Sequence, residues 1–249
     1  MRKLPRVSGA RDEETAIGPT LSSDFARKLE RHAVRTKRGA AADRSGRNDD
    51  GRMSRMAGPQ HTDDARASTR KLTYQDFVHF PDDGQRHELI DGEHYVTPSP
   101  NTRHQDLSLR LTLALGNHLA AHPAGRLFYA PYDCVFSNFD VVEPDLLWIA
   151  GDQLDIITDK HVRGVPALVV EILSPGTRKI DERTKRGLYG CVGVREYWVV
   201  DPSANRIGIH RRNEQGDLAL EMALRADSGD TLTTPLLPGF SLPLADYFR

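Results

Sequence analysis

Cysteine is scarce in this chain. Its 249 residues include two, Cys134 and Cys191, and they form no metal-ligand spacing, so both read as small buried residues of a reducing compartment. Long apolar runs are absent as well. No stretch approaches the roughly 18 apolar residues a membrane span needs. The opening MRKLPRVSGARDEE lacks the apolar segment of a signal peptide, and a cytoplasmic location is the expectation. Ten histidines are present, yet no HExxH or similar pair appears, which argues against a zinc hydrolase. His87, His94, His104 and His118 read as scattered. No G-x-S-x-G elbow surrounds Ser174, which reads instead as the start of a turn that Pro175 and Gly176 complete.

Charge is balanced overall and uneven along the chain. Residues 1–70 carry 16 Lys+Arg against 10 Asp+Glu, net +6, while the 18 basic and 25 acidic residues of 71–249 give net −7. The first 70 residues contain one aromatic, Phe25, too little apolar surface to offset the entropy of ordering. They read as a disordered basic extension with a short helix near 22–35, or else as a basic arm for nucleic acid. The folded domain is expected over 71–249.

Within that domain the patterns alternate between helix and strand. LTYQDFVHFPDDG suits a short helix ending before Pro81. RHELIDGEHYVTPSP has the form of a hairpin, with arms 86–90 and 93–97 around Asp91-Gly92. Residues 104–121 fit both periods, but Leu and Ala dominate and Thr112 is the one β-branched residue, which favours a helix ended by Pro123 and Gly125. Strands are expected at 126–137, 145–150, 167–173 and 195–202. RIGIHRR is expected to pair onward as a hairpin, and LLPGFSLPLADYF to form a last strand and a closing turn. A helix starts at DERTKRGLYGCVG with Asp181 as its cap or first-turn acid. The order implies an α/β fold with a mixed central sheet flanked by helices.

One strand raises a chemical question. ALVVEIL, 167–173, is apolar on both faces, as in a strand covered on both sides, yet it contains Glu171. A lone carboxylate there is strongly disfavoured. It is relieved by protonation, by a basic partner or by a bound cation. Asp145 offers a second carboxylate on a neighbouring strand. Two such groups repel, and hard oxygen donors suit Mg²⁺ or Mn²⁺. Asp181 and Lys185 lie four apart on the next helix, with Tyr189 one turn on. The short SPGTRKI link lets that face return toward Glu171. The plain alternative is an exposed acid–base pair of little energetic consequence.

PDLLWI followed by VVEILS resembles the core of the PD-(D/E)XK nucleases. HELIDGE, PSPNTRHQ, VEPDLLWI, VVEILSPGTRKIDERTKRGLY and GVREYWVVDP together resemble the Uma-type family of that superfamily, from about residue 72 to 249. The resemblance implies a restriction-endonuclease-like fold and Mg²⁺- or Mn²⁺-dependent hydrolysis of DNA. Asp145 matches the motif Asp and Glu171 the second acid, which with the Ile172 carbonyl would hold the metal. Leu173 stands where the superfamily usually has lysine, and Lys185 is the stand-in. Glu88 matches the acid of the ELIDGE segment, and His104 and Asp181 fall at supporting positions. Cutting both strands implies a homodimer. An inactive nuclease-fold module that binds nucleic acid or a protein partner is the alternative.

Overall fold

A computed structural model describes residues 70–249; the expected extension and its helix near 22–35 lie outside the described residues. Helix α1, Tyr74–Phe77, is capped reciprocally by Thr73 and Asp76, two orphan donors satisfied at once. Strands β1, Arg86–Ile90, and β2, Glu93–Thr97, form the expected hairpin. Asp91 and Gly92 at its tip both have positive φ, 53° and 74°, as a two-residue turn matching strand twist requires. A Cβ on Gly92 would meet Lys71 at 2.6 Å, so this position takes only glycine. Helix α2, Thr102–Ala121, follows, its first turn capped by the Asn101 side chain accepting from the His104 amide.

The expected strand over 126–137 is in fact two. Strand β3, Gly125–Tyr129, ends before Pro131, and β4, Cys134–Ser137, begins beyond it in a different sheet. The alternation of apolar residues runs through the break, but proline cannot donate to a ladder. Strand β5, Asp140–Val142, a short strand not anticipated, pairs with both β1 and β4. Strand β6, Leu146–Ala150, leads through a 3-10 segment, Gly151–Ile156, to β7, Val162–Arg163, and β8, Leu168–Ile172.

After β8 the chain turns at Ser174 and enters a π-helical segment, Ile180–Lys185, which runs into α3, Arg186–Val192. Asp181 does not cap this helix. It sits in the first turn, and its carboxylate is turned toward Lys185. Strands β9, Glu196–Asp201, β10, Arg206–Arg212, and β11, Leu218–Arg225, form a meander. Short strands β12, Thr231–Leu232, and β13, Leu242–Pro243, and helix α4, Leu244–Phe248, close the chain.

Two sheets result. One has five strands in the order β2-β1-β5-β4-β7, and the other has six in the order β11-β10-β9-β8-β6-β3. The six-stranded sheet is mixed, because β8 and β9 are parallel while its other pairs are antiparallel. Alternation along β8 and β9 divides its residues by face. Leu168, Val170, Ile172 and Trp198 pack with Leu107, Leu111 and Leu115 of α2. On the opposite face Tyr197 lies against Tyr189 of α3. A smaller cluster of Leu89, Val135 and Val141 is covered by Tyr74, Phe77 and Phe80. Among the described residues no helix is long and apolar enough to cross a membrane.

Candidate active site

Strands β6 and β8 pair antiparallel with Leu146 opposite Val170. The same register carried one step further sets Asp145 across from Glu171. Both are buried, as are Glu88, His104, Asp181 and Lys185. A cleft of about 180 Å³ opens on all of these except Glu88, which lies behind Lys185. Its walls are the loop before α2, including Pro98 to Asn101, and the turn Ser174–Thr177.

Lys185 is the hub. Its Nζ lies 2.8 Å from Glu88 Oε1, 3.0 Å from Glu171 Oε1 and 3.7 Å from Asp181 Oδ1. The helix after β8 therefore returns its basic face to the strand, as its spacing suggested. Burial alone would lower the lysine pKa, but Glu171, Glu88 and Asp181 outweigh it and hold the ammonium charged far above the ordinary range. Tyr189, one turn beyond Lys185, donates its hydroxyl to the same Glu171 oxygen at 2.6 Å. Lys185 and Tyr189 thus both bond Oε1 of Glu171.

Asp145 is held differently. Oδ1 accepts from Arg86 at 3.0 Å, while Oδ2 accepts from the Ile172 amide at 2.8 Å and lies 3.1 Å from His104 Nε2. Burial opposes its ionisation, yet His104, Arg86 and the Ile172 amide prevail and keep it below the usual carboxylate value. Glu171 moves the opposite way. Burial drives it well up, Lys185 pulls back, and the charges of Asp181, Asp145 and Glu88 add to the rise. Asp181 is pushed up to about 6, by burial first, against Lys185 and the Thr177 hydroxyl. Two carboxylates facing one another thus differ in proton affinity because their donors differ.

Arg86 and Glu143 escaped the sequence reading. Arg86 Nε lies 2.6 Å from Glu143 Oε1, and the Glu143 amide donates to Glu88 Oε1 at 2.9 Å. Arg86 stands two residues before Glu88 on β1, and on a strand that spacing returns to the same face; Glu143 lies in the link before β6, two residues ahead of Asp145. For Arg86 that period was the signal; Glu143 had none. Five carboxylates, Glu88, Glu143, Asp145, Glu171 and Asp181, surround two permanent cations, Arg86 and Lys185. Five ionised carboxylates would exceed the two cations by three charges; desolvation makes such an excess costly, and the raised proton affinities of Glu171 and Asp181 are its consequence.

The donor set fits a hard divalent cation. Asp145 and Glu171 line one cleft, Ile172 lines it too, and the excess charge is what such an ion offsets. The four histidines form no single cluster and lie in three places among the described residues. His104 is bonded to Asp145, His87 to His94, and His118 is stacked on His122. Among the described residues no three His, Cys, Asp or Glu side chains converge as ligands for one ion, so a cation in the cleft rests on the two acids and the backbone.

The comparisons with known proteins agree with this architecture. A family model described as "Uma2: Putative restriction endonuclease" matches residues 74–245. An uncharacterized protein of Synechocystis sp. is 26% identical over 159 residues, covering 59% of this chain and 77% of that one. The crystal structure described as "a putative nuclease belonging to DUF820" from Anabaena variabilis has a TM-score of 0.60 at 17% identity, covering 71% of this chain and 97% of that one. At that identity the likeness concerns the fold.

Proposed function

Because the chain belongs to the Uma2 family of restriction-endonuclease-like proteins, we propose that it is a metal-dependent endonuclease that hydrolyses DNA phosphodiester bonds in the cleft of Asp145 and Glu171. The observation that carries this reading is the pair itself. Two buried carboxylates stand across adjacent strands in one cleft, in a cluster with more negative charge than its cations balance. Asp145, Glu171 and the Ile172 carbonyl are the ligands for Mg²⁺ or Mn²⁺. Bound there, the ion supplies Lewis acidity toward a phosphate oxygen and lowers the pKa of a water.

The remaining roles belong to the protein. Lys185 stays protonated, so it does not take a proton from water. It is a fixed positive charge at the cleft, placed to stabilise charge that develops on phosphate. Glu88 and Asp181 hold its ammonium in place. Arg86 and His104 fix the two oxygens of Asp145, which keeps that carboxylate ionised and oriented. The domain is residues 71–249, preceded by the basic segment 1–70. It works in the cytoplasm, and as a homodimer that presents two clefts to one duplex, which sedimentation at working concentration checks by giving twice the chain mass.

The test is DNA cleavage by the purified chain with Mg²⁺ or Mn²⁺, beside Asp145→Ala and Glu171→Ala. Cleavage by the wild type is expected to fall at least 100-fold in each variant. Equal activity in all three would mean a contaminating nuclease and sink the assignment. The net charge of −7 over 71–249, which opposes DNA affinity, favours one competitor, an inactive module of the same fold. Calorimetry showing no binding of Mg²⁺ or Mn²⁺ selects it.

A further inference from the structure

The hairpin that brings Arg86 and Glu88 to the cleft carries a pair of histidines the cleft does not use. His87 lies between those two residues on β1, so its ring points to the other face. His94 stands on β2 opposite Leu89, diagonally across from His87. Nδ1 of His87 and Nε2 of His94 are 2.9 Å apart, and the ring planes are 17° from parallel with centroids 5.2 Å apart, so the two rings meet edge to edge. The second nitrogen of His87, Nε2, is 3.0 Å from Asp83 Oδ1. Asp83 is itself fixed by the amide and side chain of Gln85. Phe80 covers both rings, with centroids 5.7 Å from His87 and 4.3 Å from His94.

The chemistry of this arrangement is specific. A carboxylate at Nε2 keeps the proton there and leaves the lone pair of Nδ1 aimed at His94. Carboxylate–imidazole–metal chains are built this way, the acid orienting the ring and raising its basicity. Burial and the neighbouring His87 hold His94 below the ordinary imidazole value, favouring the neutral ring that a metal requires. Two imidazole nitrogens on one tetrahedral ion stand about 3.3 Å apart, given bonds of about 2.05 Å. Replacing the shared proton with an ion asks the two nitrogens to separate by about 0.4 Å and each ring to turn by about 35° so that both lone pairs converge on it.

We propose that His87 and His94 form a site for a borderline divalent transition ion of the zinc class, with Asp83 orienting His87 and water filling the remaining positions. Nitrogen donors separate it chemically from the oxygen-lined cleft, which prefers a hard ion. An ion here clips β2 to β1 and stiffens the strand that carries Arg86 and Glu88.

Calorimetric titration of the full chain with Zn²⁺ in excess Mg²⁺ tests this. One equivalent is expected to bind to wild type, and binding is expected to be lost in H94A, weakened at least tenfold in D83N and unchanged in H122A. His94 is exposed, so H94A keeps its fold. Zn²⁺ should raise the melting temperature of wild type and leave that of H94A unmoved. No Zn²⁺ binding in wild type, binding that persists in H94A, or binding abolished by H122A each overturns the proposal. None of these readouts depends on nuclease activity.

Discussion

Glu171 and Glu196 sit on β8 and β9, neighbouring parallel strands, and both are buried. Their surroundings are opposite. Both oxygens of Glu196 are served: Oε1 accepts from Trp198 Nε1 at 2.6 Å, and Oε2 from Arg211 Nε at 2.7 Å and Thr234 Oγ1 at 3.2 Å. Glu171 takes Lys185 and Tyr189 on the same oxygen, Oε1, with Asp181, Asp145 and Glu88 close enough to raise its pKa. A carboxylate kept for structure is satisfied by its neighbours. One whose donors share a single oxygen, crowded by its own kind and open to a cleft, has the features the proposed cation site needs.

Substitution should separate the two residues most sharply. Glu171→Gln is expected to lose at least 100-fold in DNA cleavage. It should leave thermal stability level or slightly raised, since it removes one of several mutually repelling charges. Glu196→Gln is expected to cost about 3 kcal/mol, because Arg211 loses its buried partner, while the chemistry of the folded fraction stays intact. If both variants lost activity alike with equal stability, the contrast would fail. Lys185→Met tests the hub itself. Three carboxylates would lose their shared cation, so a loss of about 3–5 kcal/mol together with activity is expected in denaturant titration. Adding Glu88→Gln should recover part of the stability and none of the activity.

Smaller effects mark the limits of the comparison. His210, on the sheet face with Tyr197, is held down to about 4 by burial and by Arg186. Its folded value lies below the unfolded value near 6.5. Folding is therefore unopposed above pH 6.5, and stability falls as pH drops from there to about 4, by on the order of 3 kcal/mol. His210→Phe should flatten that slope in urea titrations at pH 5 and pH 7. Asn101→Ala, which removes the cap of α2 at the cleft rim, is expected to cost about 1 kcal/mol.

Much of this was legible in the residues. The hairpin was signalled by Asp91-Gly92, α2 by its leucine stripe, and Glu171 by being charged where the strand was otherwise apolar. Pairing Asp145 with Glu171, and Lys185 with both Glu171 and Asp181, followed from strand and helix periods. What was missed depends on contacts between distant segments. Arg86 reaches Asp145 across 59 residues, and no local pattern states that one strand of a hairpin will face the strand ends of another sheet. The split of 126–137 was hidden because the apolar alternation resumes after Pro131. His87 and His94 looked unrelated because their meeting depends on a diagonal across the hairpin, not on a sequence spacing that metal motifs use.

The most direct measurement is an anomalous difference map from crystals soaked in Mn²⁺. A peak bridging Asp145 and Glu171, within coordination distance of both carboxylates, is the result predicted. Fully ordered carboxylates with no peak between them, and Glu171 still bonded only to Lys185 and Tyr189, would contradict the account.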